Sequence, residues 1–132
     1  AYAEQAAERA YRMAGIRGPG SEIDFAEIDD TFSYKQLQHL EALGLALPGE
    51  SGQMLERGMF DASGILPVNV SGGNLGCGAA HDTSGLRSIL EVVLQLRGTA
   101  GERQLPKVKT GLAQSWRGIP TATGGVAVLG VE

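Results

Sequence analysis

The run Gly72-Gly73-Asn74-Leu75-Gly76-Cys77-Gly78 constrains this chain more than any other stretch. It holds four glycines, and an apolar helical pattern follows it over residues 83–98. Such a run suits a backbone that turns sharply or passes close to another surface. Placed before a helix, it brings helix-terminal N–H groups toward whatever the loop holds. The arrangement suits a binding site and equally a buried structural loop. The helix itself carries Leu86, Ile89, Leu90, Val93, Leu94 and Leu96. Apolar residues around so much of its circumference predict a helix sandwiched between layers.

The flanking segments predict an alternation of helices and strands. Alanines at 3, 6, 7, 10 and 14, with Met13, make a small-residue stripe at helical spacing over residues 2–14. Gly15 and a Gly18-Pro19-Gly20 turn stop it. Residues 25–29 read as a strand. Ser33 and Gln36 have capping-box spacing at the start of a helix over residues 34–43, buried through Leu37, Leu40 and Leu43. His39 falls on it as a half-exposed residue. Residues 47–66 are glycine-rich and irregular, anchored by Met54, Leu55, Met59 and Phe60, with room for a short helix at 53–56. Residues 107–113 and 124–131 read as strands joined by a turn at 114–120. The last strand is nearly all apolar, which predicts a central place in the sheet. Together these elements predict an α/β layered domain over residues 1–132, with a mixed sheet flanked by helices. Three strands are few for so apolar a final strand, and a fourth before Tyr2 would complete the sheet.

Composition narrows the function. With 15 acidic against 11 basic residues and no basic block, nucleic acid has no electrostatic footprint. One cysteine excludes an internal disulfide and a cysteine-based zinc site. No apolar run approaches the ~18 residues of a membrane span, and no leader pattern is present. Cytoplasmic residence is expected. The chain opens directly on a helical pattern, so an excised domain or a small subunit is expected.

The reactive side chains cluster at two places. Asp29 and Asp30 lie where a strand gives way to a helix, a position that α/β proteins use for chemistry. They either form an acidic site or divide into a helix cap and a solvated carboxylate. Cys77 and His81 either pair as nucleophile and base or serve as a small apolar residue and a loop histidine. Asn69 and Asn74 flank the glycines, where an amide either donates to a thioester oxygen or closes a local turn. A metal site would require His39, His81 and aspartates to converge.

The ordered motifs resemble the C-terminal domain of the thiolase superfamily, in particular the sterol-carrier-type and archaeal thiolases. The residues that carry the resemblance are Met13-Ala14-Gly15-Ile16, Ile23 to Phe32, Leu40 to Leu45, Gly64 to Gly73, Gln95-Leu96-Arg97-Gly98 and Gly101-Glu102-Arg103-Gln104. The resemblance implies carbon–carbon bond formation or cleavage on acyl-CoA thioesters. Coenzyme A enters as part of the substrate, with no covalent cofactor and no metal. The nucleophilic cysteine belongs to an N-terminal domain. Family members place a His-Asp-Cys-Phe motif where this chain has Asp29-Asp30-Thr31-Phe32. They place a Gly-His-Pro motif where it has Gly78-Ala79-Ala80, so Ala79 stands in the place of a catalytic histidine. Thr121 or Thr123 falls about where some thiolases carry a second cysteine. By this resemblance Asp29, Asp30 and His81 are the catalytic candidates, and Asn69, Gly72, Gly73, Asn74 and Gly78 line the thioester. Three readings follow: a repurposed enzyme such as a retro-aldolase, a non-catalytic subunit that binds acyl-CoA or stabilises a partner, and a thiolase with compensating residues. The implied partners are an N-terminal thiolase-like domain or subunit, a second copy of the chain, and a small zinc-bearing OB-fold protein.

Overall fold

The computed structural model describes residues 2–118 and 123–132. Helix α1 (Tyr2–Ala14) buries the alanine stripe through Ala3 and Ala7. Met13, expected on that stripe, is 90% exposed, since Tyr11 and Ile16 fill the core at this end. Gly15 takes the left-handed conformation that ends the helix. Pro19–Glu22 then make one helical turn, α2, in place of the expected open turn. Strand β1 (Phe25–Glu27) is buried throughout and ends two residues earlier than expected. Helix α3 (Ser33–Ala42) follows. Phe32 occupies its capping position in extended conformation with no side-chain cap, so the Ser33–Gln36 capping box does not form.

The irregular stretch contains helix α4 (Ser51–Glu56), tied to α3 by the Ser51 hydroxyl donating to Glu41 at 2.6 Å. Phe60 is buried as expected, whereas Leu55 is exposed. The glycine run contains an unexpected short helix, α5 (Gly73–Cys77), and helix α6 (Ser84–Leu96) comes next. A 3-10 turn at Gly101–Arg103 precedes strands β2 (Thr110–Trp116) and β3 (Gly124–Gly130). Residues 114–116, expected in a turn, are therefore strand. No helix among the described residues is long and apolar enough to cross a membrane.

The sheet order is β1-β2-β3, with β1 parallel to β2 and β2 antiparallel to β3. Val68 bridges Ala26 in parallel on the other side of β1. This is the mixed, helix-flanked α/β sheet that the sequence predicts, with one correction. The centre is β2, while β3 has a partner on one side only among the described strands. Its apolar residues are half-covered, Val126 and Val128 by one core cluster and Leu129 by the other. Side-chain alternation assigns the two faces. Ala26 and Leu112 join Ala7, Leu40 and Leu43 on the α1/α3 face, whereas Phe25 and Ala113 meet Val92 on the α6 face.

Helix α6 also departs from expectation, since it buries one face only. Glu91, Val92 and Gln95 are buried, while Leu86 and Leu90 are 67% and 55% exposed. The polar residues face inward because the segment after the helix satisfies them. Gln95 donates to the Arg103 carbonyl at 2.8 Å and accepts from the Leu105 N–H at 2.8 Å. Glu91 pairs with Arg103 at 2.9 Å.

Gly111 sets how closely α6 approaches the sheet. A Cβ there would lie 2.6 Å from Phe25 and 2.7 Å from Val92. Gly111→Ala is expected to lower stability by about 1–3 kcal/mol through overpacking. A urea titration should show an earlier midpoint with an unchanged slope.

Candidate functional site

The site begins where β1 ends. The chain stays buried past Glu27, but its amides lose their strand partners. Ile28 donates to Asn69 Oδ1 at 2.7 Å, and Asp29 donates to Gln114 Oε1 at 2.8 Å. These bonds hold the next residues at the carboxyl edge of parallel strands β1 and β2. Asp29 and Asp30 are both buried, so the division into a cap and a solvated carboxylate does not occur.

The glycine run supplies donors to both carboxylates. The Asn74 N–H donates to Asp30 Oδ1 at 2.6 Å. The Asn74 side-chain amide donates to Asp29 Oδ2 and to Thr31 Oγ1, each at 3.0 Å. Its oxygen accepts from Arg87 at 2.6 Å, and the same guanidinium donates to the Gly78 carbonyl at 2.9 Å. Asn74 is thus committed to the site's own framework. Asn69 is likewise committed through Oδ1, although its Nδ2 is buried without a partner among the described residues. Only glycine serves at position 73: its φ is +59°, and a Cβ would lie 2.2 Å from Asp30 Oδ2.

Behind Asp29 sits His39, buried rather than half-exposed. Its Nδ1 lies 2.9 Å from the Asp29 carbonyl, which can only accept, so Nδ1 carries the proton. Burial lowers its pKa and disfavours the charged ring, against the opposing pull of that carbonyl and of the Asp29 charge. Tyr2 Oη stands 3.4 Å from Nε2.

In front of Asp29 opens a cavity of about 270 Å³ lined by Asp29, Thr31, Phe32, Ala79, His81, Ser84, Trp116, Arg117 and Gly118. The structure therefore brings His81 to the cavity that holds Asp29, while Asp30 lies behind it against Gly73 and Asn74. The aromatic wall is built from Trp116, set edge-on to Phe32 at 6.4 Å, with Lys35 Nζ 4.6 Å from the indole centroid. Trp116 Nε1 is buried without a hydrogen-bond partner among the described residues. Trp116 and Arg117 escape the sequence reading because their segment looks like a turn. The signal available was a lone tryptophan at the end of a strand. Cys77 is exposed, and its thiol donates to the Ser71 carbonyl at 3.1 Å rather than to His81. Among the described residues no three or more His, Cys, Asp or Glu side chains converge as metal ligands. Thr121 lies outside the described residues.

A mixed α/β sheet with a cavity at the carboxyl edge of its parallel strands, lined on one side by Ala79 and His81 just past the glycine run, defines a layered α/β domain. The chain belongs to the thiolase C-terminal domain-like family, whose model matches residues 1–131. It is 39% identical over 109 residues to sterol carrier protein 2 of Bos taurus, covering 83% of this chain and 20% of that protein. It is 39% identical over 124 residues to the acetyl-CoA acetyltransferase of Methanothermobacter thermautotrophicus, covering 94% of this chain and 31% of that one. Among solved structures it resembles the Ltp2-ChsH2(DUF35) aldolase, with a TM-score of 0.83, 31% identity, and coverage of 98% of this chain and 31% of that one. The chain thus spans between a fifth and a third of the length of these relatives.

Gly73→Ala forces a side chain onto Asp30 in a left-handed backbone. It is expected to cost more than about 2 kcal/mol and to release Asn74 from both aspartates. Thermal unfolding should show the loss, and the Asn74 side-chain amide resonances should shift.

Proposed function

We propose that this chain forms the acyl-binding wall of a thiolase-superfamily protein that handles coenzyme A thioesters, and that alone it binds without turnover. The observation that carries this reading is Ala79 in the lining of the cavity. The chamber is kept, but the position assigned by resemblance to the catalytic histidine holds a side chain that cannot move a proton. Phe32 and Trp116 offer apolar surface to an acyl chain. Gly72, Gly73 and Gly78 shape the loop beside the thioester, while Asn69 and Asn74 hold that loop in place.

A second reading is favoured by the likeness to an aldolase and by Asp29 and His81 lining one cavity. In a complete assembly, Asp29 or His81 would take the proton of a β-hydroxyl group. The Cα–Cβ bond then breaks, a carbonyl forms on the departing fragment, and the electron pair passes into the thioester as an enolate. Protonation of the enolate carbon completes the cleavage. Asp30 would act through Asn74 and Gly73 as a positioning residue.

The proposed partner is an N-terminal thiolase-like domain or subunit, for which exposed Leu86 and Leu90 offer an apolar face. A homo-oligomer would use the same face. The related aldolase is named as Ltp2 together with ChsH2(DUF35), which favours a further partner protein here, with a zinc-bearing OB-fold protein as the candidate. The exposed unpaired thiol of Cys77 suits a reducing, cytoplasmic compartment.

Trp116 is the sole tryptophan and lines the cavity, so its emission reports occupancy. Titration with acetoacetyl-CoA and with longer 3-hydroxyacyl-CoA thioesters is expected to shift it. Phe32→Ala should weaken binding about 5- to 30-fold, in line with loss of ~1–2 kcal/mol of aromatic contact. No product should form from this chain alone. Absence of binding by every thioester would overturn the proposal. Cleavage after addition of the N-terminal portion would select the second reading.

A further inference from the structure

Burial sorts the lining of the cavity into a floor and a rim. Asp29, Ser84 and Trp116 are buried, whereas Phe32, Ala79, His81 and Arg117 are exposed. The floor therefore carries the Asp29 carboxylate, and the rim carries the Arg117 guanidinium. Among the described residues no other Asp, Glu, Lys or Arg lines the cavity. Arg117 follows directly on β2, and its backbone N–H donates to the Thr123 carbonyl at 2.9 Å, which holds it at the cavity. The other cations near the site are committed. Arg87 donates to Asn74 and to the Gly78 carbonyl, and Lys35, beside the Trp116 indole, donates to Gln38 at 3.0 Å. The Arg117 guanidinium makes no hydrogen bond or ion pair among the described residues.

We infer that Arg117 is a specificity-determining residue that receives an oxyanion of the ligand, phosphate or carboxylate, at the rim of the cavity. The inference deepens the acyl-thioester reading and rests on it. A guanidinium presents a planar fork of N–H donors that matches both anions. Asp29 sets the opposite preference at the floor. Its donors are the Asn74 side-chain amide and the Thr31 N–H, both neutral, so nothing there offsets the repulsion of a second anion. A neutral carbonyl or hydroxyl meets no such repulsion. The ligand thus enters with its uncharged thioester end toward Asp29 and its anion at Arg117. Water at the rim screens the pair, so its effect is a few-fold change in affinity. Two sources supply the same chemistry: the phosphates of coenzyme A, and an acyl chain that ends in a carboxylate.

Trp116 emission measures the affinity of the 132-residue chain for a set of probes. Acetoacetyl-CoA carries phosphates, glutaryl-N-acetylcysteamine carries a carboxylate without phosphates, and acetoacetyl-N-acetylcysteamine carries neither. Arg117→Gln is expected to weaken the first or the second about 3- to 10-fold and to leave the third unchanged. Whichever falls names the source of the anion. Arg117 is exposed, so the variant should stay folded. Arg117→Lys, which keeps the charge, should recover part of the loss. Arg12→Gln removes an exposed cation from the last turn of α1 and should change none of the affinities. Equal loss for all probes in Arg117→Gln, no loss for either anionic probe, or the same loss in Arg12→Gln overturns the inference. If no thioester binds, the acyl-thioester reading fails, and the Arg117 Nε–Hε resonance titrated with inorganic pyrophosphate and with glutarate decides the anion site. A saturable shift with either anion supports it, and no shift overturns it.

Discussion

Two backbone amides just past β1, those of Ile28 and Asp29, are satisfied by side chains, and the site depends on this substitution. A buried N–H left unpaired costs ~1–3 kcal/mol. Asn69 and Gln114 prevent that cost, each from a segment that flanks β1. Asn69 follows the Val68 bridge, and Gln114 lies on β2. The chain can therefore leave the hydrogen-bond ladder while still buried. That departure is what carries the Asp29 carboxyl to a cavity instead of into another strand pair.

The second constraint is the placement of two buried carboxylates on adjacent residues. Neutral donors hold them: the Asn74 backbone and side-chain amides and the Thr31 N–H, which donates to Asp29 at 3.2 Å. Arg87 stands one step removed, fixing the Asn74 amide through its oxygen. Burial disfavours the charged form of His39 behind Asp29, and the direct partners of the two carboxylates among the described residues are neutral. The cavity thus has carboxylate and hydroxyl acceptors at its floor and an aromatic wall of Phe32 and Trp116. This polarity suits proton acceptance more readily than oxyanion stabilisation by side-chain amides, since those amides are already engaged.

Much of the fold was legible because local rules carry it. The alanine stripe specifies α1, the leucines specify α3, and Gly15 and Gly98 fall beyond helix ends with left-handed backbones. The errors share a cause. The leucines around α6 predict a helix buried on most sides, yet it turns Glu91 and Gln95 inward, since Arg103 and Leu105 meet them there. Residues 114–116 look like part of a turn, yet they continue β2, and Gln114 has a buried partner in Asp29. A polar residue buried through a distant partner carries no mark of burial in its own neighbourhood.

By itself, the sequence determined the family, the order of the longer helices and the strands, and the absence of a histidine at position 79. Each of these is written in contiguous residues and their spacing. Tertiary structure alone decided that Asp29, Ala79, His81 and Trp116 share one cavity, that Asn74 is a framework residue, and that Glu27 reaches Ser71. Those pairings span tens of residues and arise from parallel strand pairing and a loop that folds back over the sheet edge. No local propensity encodes such closure, because its free energy comes from burial and hydrogen bonds formed only after the chain has come together.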